Sequence, residues 1–305
     1  MSDTNSEKLQ KRVEVPPFLC EMLEKQYGAE WEMIQAGFAR KRHVTLRANT
    51  LKTYAAAVAE EFERNQICFE RVAWYDDAFI LESATEREIQ ALPVYERGEV
   101  YMQSLSSMLP PLLLKPQAGE TILDMTAAPG GKTTQIAALS GGKALITACE
   151  KDKIRFERLK FNLERQGAAR VNAMQTDASR LDDFFRFDKI LLDAPCSGSG
   201  TITANEPVCV TEKLLAGCMK SQEMLLAKAL KLLKKGGTLV YSTCSLLKQE
   251  NEELLKKVLP KTGAKIIPIN ELFLKNLPLL KSEEGSVTVC PNEYFEGFFL
   301  ALIQK

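Results

Sequence analysis

Histidine is nearly absent from this sequence: His43 is the only one in 305 residues. A metal site built from several histidines is therefore excluded, and a catalytic triad with a histidine base would have to use His43. The eight cysteines contain no Cys-x-x-Cys pair, which argues against a structural zinc site. We therefore expect no bound metal.

Long apolar runs are also missing. No stretch approaches the roughly 18 apolar residues that a membrane-spanning helix needs, and residues 1–12 are too polar for a secretory signal. Charge of one sign is not in excess, because 40 basic residues balance 40 acidic ones. Any nucleic-acid surface must therefore be local. We expect a monomeric cytoplasmic protein with reduced thiols and no membrane partner.

What is present is an ordinary globular composition, with 45% hydrophobic and 26% charged residues, and a length that predicts about two domains. The pattern changes near residue 103. We predict a helical N-terminal extension at 1–45, a small α+β module at 46–102 and a larger domain at 103–305. Helices are predicted at 18–28, 54–64 and 85–92, the last capped by Thr85 and Glu88; strands are predicted at 47–51 and twice within 67–81.

Strands and helices alternate regularly after residue 103. Apolar runs typical of buried parallel strands lie at 121–125, 144–149, 171–174, 189–193 and 238–242. Helical patterns lie at 133–139, 153–166, 213–235 and 249–258, and 297–303 predicts a final strand. Residues Lys234-Lys235-Gly236-Gly237 predict the end of the third of these helices. Repeated β-α-β units predict an α/β fold with a doubly wound, Rossmann-like sheet.

Ligands of such sheets bind beyond the carboxyl ends of the strands. The first predicted strand runs into Thr126-Ala127-Ala128-Pro129-Gly130-Gly131-Lys132, which opens a helix. The glycines allow close approach of a ligand, and the helix N-terminus favours a negatively charged group. A P-loop is disfavoured, because its first glycine would fall at Thr126 and Asp124 would repel a triphosphate. A purely structural turn is the alternative to a cofactor-binding loop.

Two acids follow the next two strands. Glu150 lies about 20 residues beyond the glycines, where a carboxylate can accept both ribose hydroxyls of a nucleoside cofactor, although a solvated surface glutamate is the alternative. Asp177 could reach an adenine amino group or could cap a helix. An adenosine cofactor without phosphates fits this set, because its own carboxylate can use the helix N-terminus. We therefore expect S-adenosylmethionine.

Cysteines end the fourth and fifth strands, in Asp193-Ala194-Pro195-Cys196 and Ser242-Thr243-Cys244. Buried cysteine is usually a small hydrophobic residue, and we interpret the remaining six in that way: Cys20, Cys68, Cys149, Cys209, Cys218 and Cys290. Cys196 and Cys244 instead stand beside small residues on the predicted cofactor side. These two are therefore candidate nucleophiles.

A thiol beside a methyl donor suits methylation at carbon 5 of cytosine. That carbon is a poor nucleophile until a thiolate adds to carbon 6, and loss of the carbon-5 proton later reverses the addition. Asp193 could hold the N3 and amino edge of the ring and stabilise charge that forms during attack. Because a free thiol has a pKa near 8.5, local groups must activate it.

These motifs resemble those of the RNA cytosine-5 methyltransferases of the Sun (Fmu) type. Further matches lie at 47–52, at Gln103 with 106–108, and at 296–299, so that the resemblance covers about residues 45–305 in family order. It implies that Cys244 is the nucleophile, that Cys196 assists release of the product and that Lys132 is an active-site cation. The cofactor contacts that it implies are Thr126, Ala127, Ala128, Pro129, Gly130, Gly131, Lys132, Glu150, Asp177 and Asp193.

The resemblance also implies an RNA substrate, either ribosomal or transfer RNA, and an N-terminal module similar to RNA-recognition domains. Local charge agrees, because residues 33–59 contain no acid but hold Arg40, Lys41, Arg42, Arg47 and Lys52. Residues 151–170 hold seven bases against three acids, for which a solvated helix face is the alternative. A DNA cytosine-5 methyltransferase is disfavoured, because Cys244 would have no counterpart. A catalytically silent RNA-binding assembly factor is disfavoured by the presence of both thiols.

Overall fold

The computed structural model describes residues 15–203, 209–282 and 285–305, so residues 1–14 of the predicted extension lie outside it. The described chain begins with helices α1 (Pro17–Tyr27) and α2 (Trp31–Phe38). Their buried faces pack against distant residues, including Ile202 and Leu246. The Tyr27 hydroxyl donates to the Leu246 carbonyl at 2.8 Å. The two helices therefore support loops that follow later strands.

A four-stranded antiparallel sheet comes next. Its strands are β1 (Val44–Ala48), β2 (Phe69–Arg71), β3 (Ala78–Leu81) and β4 (Val100–Met102), in the order β2-β3-β1-β4. Helix α3 (Ala55–Arg64) buries Val58 and Phe62 against this sheet, and the Phe62 and Phe79 rings meet edge to face. Helices α4 (Glu86–Gln90) and α5 (Pro93–Glu96) follow, and α4 has the predicted capping box of Thr85 and Glu88.

The second sheet is larger and mixed. Its parallel strands are β5 (Thr121–Asp124), β6 (Leu145–Glu150), β7 (Asn172–Gln175), β8 (Phe187–Asp193) and β9 (Leu233–Thr243). The antiparallel strands are β10 (Lys265–Ile267), β11 (Leu279–Leu280), β12 (Val287–Val289) and β13 (Phe298–Gln304). The order is β11-β12-β13-β9-β8-β5-β6-β7, with β10 paired to β13. This arrangement brings the carboxyl ends of the parallel strands to one edge.

Helices cover the second sheet. They are α6 (Leu105–Leu114), α7 (Gly131–Leu139), α8 (Lys153–Arg165), α9 (Glu212–Leu232), α10 (Glu252–Val258) and α11 (Glu271–Leu274). Helices α7, α8 and α9 each follow a parallel strand, as a doubly wound sheet requires. In the described part of the chain, no helix combines the length and the apolar character needed to cross a lipid bilayer.

Most of the predicted elements are present, and the bounds of two of them need correction. The strand predicted at 47–51 lies three residues earlier, at Val44–Ala48. Helix α9 ends at Leu232, because Leu233 already pairs with Phe187 as the first residue of β9. Residues 234–237 then form an irregularity opposite Asp188, before Thr238 pairs with Lys189. The sequence pattern does not predict four of the helices, α2, α5, α6 and α11, or four of the strands, β4, β10, β11 and β12. The domain limits at residues 45 and 102 stay a prediction.

Burial corrects the interpretation of two cysteines and one cation. Cys149, Cys218 and Cys290 are buried as predicted, Cys20 is half-buried, and Cys68 and Cys209 are exposed. Arg47 is fully buried, and its guanidinium donates to the Gln103 side chain at 2.9 Å and to the Gly131 carbonyl at 3.0 Å. Arg47 therefore cannot contact an RNA phosphate, and that prediction is wrong.

Asn49 and Lys52, like Arg47, donate hydrogen bonds to backbone carbonyls of distant elements. The Asn49 amide donates to the carbonyls of Gly98 and Gln166, both at 2.8 Å. The Lys52 ammonium donates to the carbonyls of Arg97 and Arg165. The segment 47–52 thus fastens the first sheet to helices of the second.

Candidate active site

The loop between β5 and α7 is held in a tight path. Gly130 has a φ of 108°, a backbone conformation that strongly favours glycine. A Cβ atom on Gly131 would lie 2.9 Å from the Tyr101 ring, so a larger residue would push that ring away. Helix α8 fixes the loop from the side, because Arg155 donates to the Ala128 carbonyl and Asn162 to the Pro129 carbonyl, both at 2.8 Å.

A buried acid lies beneath this loop. Asp124, at the end of β5, is 1% exposed, and the Thr133 hydroxyl donates to it at 2.7 Å. Burial raises the pKa of Asp124 to about 6, even though the Thr133 hydrogen bond acts in the opposite direction. Asp124 therefore orients the first turn of α7 from inside the protein.

A pocket of about 260 Å³ opens at the carboxyl ends of the strands. Glu150 is 4% exposed there, and its Oε1 accepts the Asp152 N–H at 2.9 Å. Its Oε2 lies 3.6 Å from an Arg155 nitrogen, so the carboxylate keeps acceptor capacity for further hydroxyl donors. Asp177 caps the turn at Ala178–Arg180 through Oδ1, and these hydrogen bonds, which outweigh desolvation, lower its pKa. It also borders the pocket.

The residues of this pocket fit S-adenosylmethionine. The two acids match the hydroxyl and amino donors of an adenosine, and the start of α7 offers backbone N–H groups to a carboxylate. Thr126 and Ala128 of the loop border the same pocket, as do Asp193 and both candidate thiols. A nucleoside bound against the acids would therefore share one pocket with the reactive side chains.

Asp193, at the end of β8, is held on both sides. Lys132 lies 2.7 Å from its Oδ2, and the Ser242 hydroxyl donates to its Oδ1 at 2.7 Å. Burial by itself would lower the pKa of Lys132, but the attraction and hydrogen bond of Asp193 outweigh it, so the pKa is raised. Lys132 is therefore a firmly protonated cation at neutral pH.

The two predicted thiols meet. Cys196 Sγ and Cys244 Sγ are 3.2 Å apart, although the residues are 48 positions apart in the chain. The hydrogen bond to Cys244, together with burial, raises the pKa of the Cys196 thiol well above its ordinary value. Cys196 therefore stays protonated at neutral pH, beside a second sulfur that can accept its hydrogen bond.

A second, larger cavity of about 610 Å³ adjoins the first. Cys244, Asp193, Thr126 and Ala128 border both cavities, whereas Cys196 borders only the smaller one. The larger cavity is also lined from the first sheet and its approach, by Lys41, Arg42, His43, Val44, Thr45, Tyr101, Met102 and Gln103. Cys244 therefore stands where a cofactor pocket and a larger cavity meet.

Most of the residues predicted for the site converge at these cavities. Ala127, Pro129, Gly131 and Lys132 border the larger one. Gly130 borders neither in the described part of the chain, and its left-handed backbone instead begins α7.

Sequence reasoning missed Glu250, which has no exposed surface and bonds to both thiol-bearing loops. It also missed His43, which stacks on Tyr294 and borders the larger cavity. The paired acids at 252–253 make Glu250 look like part of a surface helix.

Two family models match the chain. The model described as 16S rRNA methyltransferase RsmB/F matches residues 111–304, and an RsmF/B-like ferredoxin-like domain matches residues 15–88. Among curated proteins, the ribosomal RNA small subunit methyltransferases F of Shewanella amazonensis and Shewanella piezotolerans are each 35% identical over 86% of this chain. This chain covers 58% and 57% of their lengths, so it spans less than two thirds of these relatives.

Solved structures agree. A methyltransferase homolog protein from Pyrococcus horikoshii is 32% identical with a TM-score of 0.80, and the match covers 95% of this chain and 100% of that one. NSun6 from the same organism, solved with SFG, is 24% identical with a TM-score of 0.83 over 95% of this chain and 98% of that one, a likeness of fold. The predicted fold and resemblance are thereby confirmed. The chain belongs to the 16S rRNA methyltransferase RsmB/F family.

Proposed function

We propose that this protein transfers a methyl group from S-adenosylmethionine to carbon 5 of a cytosine in RNA, through a covalent bond between Cys244 and carbon 6. Of the two RNA classes that the sequence leaves open, the names of the relatives favour small-subunit ribosomal RNA over transfer RNA. A cytoplasmic location, where ribosomal RNA is available, belongs to the same proposal.

The position of Cys244 carries this proposal. It borders both the pocket that fits the cofactor and the larger cavity, so its sulfur can reach a base that faces the methyl donor. Cys196 borders only the smaller pocket, and its raised pKa keeps it protonated. The position of Cys244 at the border of both cavities therefore favours it over Cys196 as the attacking thiolate.

Attack would place negative charge on the ring. The Cys244 sulfur forms a bond to carbon 6, and the π electrons of the carbon 5–carbon 6 bond become available at carbon 5. Asp193 would accept from the amino edge of the base, and the Lys132 ammonium, held 2.7 Å from Asp193, would offset the developing charge. S-adenosylmethionine, when bound, supplies the methyl group.

Release would reverse the addition. The carbon-5 proton passes to solvent, its bonding electrons restore the double bond, and the bond between sulfur and carbon 6 breaks. Because Cys196 Sγ lies 3.2 Å from Cys244 Sγ, its thiol can donate a hydrogen bond to the departing sulfur. Cys196 thus serves release without attacking the base itself.

The RNA backbone would approach from the first sheet. Arg40 and Lys41 are exposed, and Lys41 borders the larger cavity. Arg42 donates instead to backbone carbonyls of Thr201 and Ile202, so it also fixes the loop beside that cavity. Arg40 and Lys41 are therefore the phosphate contacts that remain from the predicted cluster.

The two thiols have separable roles under this proposal. With Cys244→Ala, methylation and covalent adduct should both be lost, because attack never occurs. With Cys196→Ala, attack and methyl transfer should proceed but release should stall, so that a protein–RNA adduct survives a denaturing gel. Cys68→Ala, at an exposed thiol directly before β2, is the matched control and should behave as the unaltered protein.

The reverse result, an adduct with Cys244→Ala and none with Cys196→Ala, would make Cys196 the nucleophile and defeat the proposal. Substrate class is tested separately. Labelled methyl groups from S-adenosylmethionine should enter ribosomal RNA of cells that lack the enzyme and should become soluble with RNase but not with DNase. Label that resists RNase would contradict an RNA substrate.

A further inference from the structure

Glu250 is a buried acid with no part in the reaction outlined above. It lies in the short helical turn Lys248–Glu250, directly after β9 and the nucleophile loop, and its exposed fraction is zero. A buried carboxylate is unfavourable unless hydrogen bonds compensate it. The donors that surround Glu250 therefore indicate what it does.

Among the residues that the structure describes, four donors converge on this carboxylate. Oε1 accepts the Ser197 N–H at 2.8 Å and the Gln222 amide at 3.1 Å. Oε2 accepts the hydroxyls of Ser197 and Ser245, both at 2.5 Å. Ser197 follows Cys196 directly in the chain, and Ser245 follows Cys244 directly. One oxygen atom of Glu250 thus joins the residues next to the two thiols.

Neutral hydrogen bonds also connect the two loops. The Gly200 N–H donates to the Cys244 carbonyl at 2.9 Å, and the hydroxyls of Ser199 and Ser245 are 3.0 Å apart. Glu250 is the charged member of this network, and hydrogen bonds to a charged acceptor are stronger than neutral ones. Its own backbone is fixed, since its carbonyl accepts the Tyr241 hydroxyl at 2.7 Å.

We propose that Glu250 is a positioning residue that clamps the Cys196 and Cys244 loops together and so sets the separation of the two sulfurs. The catalytic part of this inference rests on the proposed function. Attack by Cys244 requires its sulfur at a fixed place above carbon 6, and release requires Cys196 beside it. By accepting hydrogen bonds from both adjacent serines, Glu250 keeps the two sulfurs in place for attack and for release.

The decisive variant is Glu250→Gln. A glutamine has the same shape, but it offers one oxygen and an NH₂ group that cannot accept from Ser197 or Ser245. The turnover number for methylation of ribosomal RNA should fall on the order of 10²-fold, because small displacements of reacting groups have effects of that size. The KM for S-adenosylmethionine should stay within about twofold, because no cofactor residue is altered. Glu253→Gln, an exposed acid of α10, is the matched control.

A second measurement reads the sulfur positions without any methylation. Phenylarsine oxide condenses with two neighbouring thiols, forming two arsenic–sulfur bonds and releasing one water. The unaltered protein should bind it through Cys196 and Cys244, and Cys196→Ala should abolish this binding. Glu250→Gln should weaken binding by about tenfold or more, since the two sulfurs no longer act as one chelating site. Because this probe needs no RNA, it separates failure of the clamp from failure of the proposed reaction.

A purely structural role would lower the melting temperature of Glu250→Gln but leave its turnover and arsenical affinity unchanged, and that result would overturn the proposal. Failure of the unaltered protein to bind the arsenical would overturn it as well. If Glu250→Gln does not fold, Ser245→Ala tests the same proposal, because it removes one of the four donors to Glu250 and leaves the other three. It should reduce both turnover and arsenical affinity; no change in either would refute the clamp.

Discussion

Glu150 is the residue on which cofactor affinity should depend most simply. Its side chain is 4% exposed at the pocket, and its backbone partner there, the Asp152 N–H, uses one lone pair of Oε1. Glu150→Ala would remove the acceptors for a pair of ribose hydroxyls. A loss of about 1–3 kcal/mol, or roughly 5- to 150-fold in Kd, follows from hydrogen bonds of this kind. Isothermal titration calorimetry with S-adenosylmethionine measures it.

The size of the effect should depend on the replacement. Glu150→Gln keeps one acceptor oxygen and should weaken binding less than Glu150→Ala does. Glu157→Ala, an exposed acid of α8 paired with Lys160, should leave the Kd unchanged. An unaltered Kd in Glu150→Ala would show that the acid serves only the turn at Asp152 and would refute the assignment of this pocket to the ribose.

Three further perturbations test other parts of the molecule. Charge reversal of Arg40 and Lys41 should lower RNA affinity, measured by filter binding, and should flatten its dependence on salt concentration. An unchanged salt slope would show that these two residues do not contact RNA phosphates. Arg47→Met should reduce the free energy of unfolding in urea by about 2–4 kcal/mol, because buried acceptors lose their donor. A variant that keeps its full stability but loses RNA affinity would contradict this structural role of Arg47. Asp124 has a raised pKa of about 6, so its stabilising contribution is present below about pH 4 and is lost as pH rises through about 6. Urea unfolding across this pH range should show that the unaltered protein loses about 3 kcal/mol of unfolding free energy as pH rises, and Asp124→Asn should lack this loss.

Sequence alone predicts the strand ends of this fold well. Each parallel strand is an apolar run followed by an acid, a glycine or a thiol, and topology brings those residues to one edge. The pairing of Cys196 with Cys244 therefore follows from the order of the strands. Their separation of 3.2 Å does not, because it depends on Glu250 folding back beneath both loops from a segment that looks like an ordinary helix start.

The distribution of charge along the sequence is the least reliable predictor of which residues are available to contact RNA. Arg47 belongs to a basic segment by composition, yet it is buried and bonded to Gln103 and Gly131. Composition gives the sign of a side chain's charge but not its hydrogen-bond partners, and the partners of Arg47 come from distant parts of the chain. The early end of α9 has a similar cause, since pairing of Leu233 with Phe187 begins the strand before the glycines are reached.

The central claim is that Cys244 bonds to carbon 6 of the target cytosine. RNA that carries 5-fluorocytidine tests it, because fluorine cannot leave carbon 5 as the proton does, so the adduct is trapped after methyl transfer. The trapped complex, formed with small-subunit ribosomal RNA and S-adenosylmethionine, can be digested and sequenced by tandem mass spectrometry. The modified nucleotide should be found on the peptide that contains Cys244. Its presence on the peptide that contains Cys196 would contradict the account.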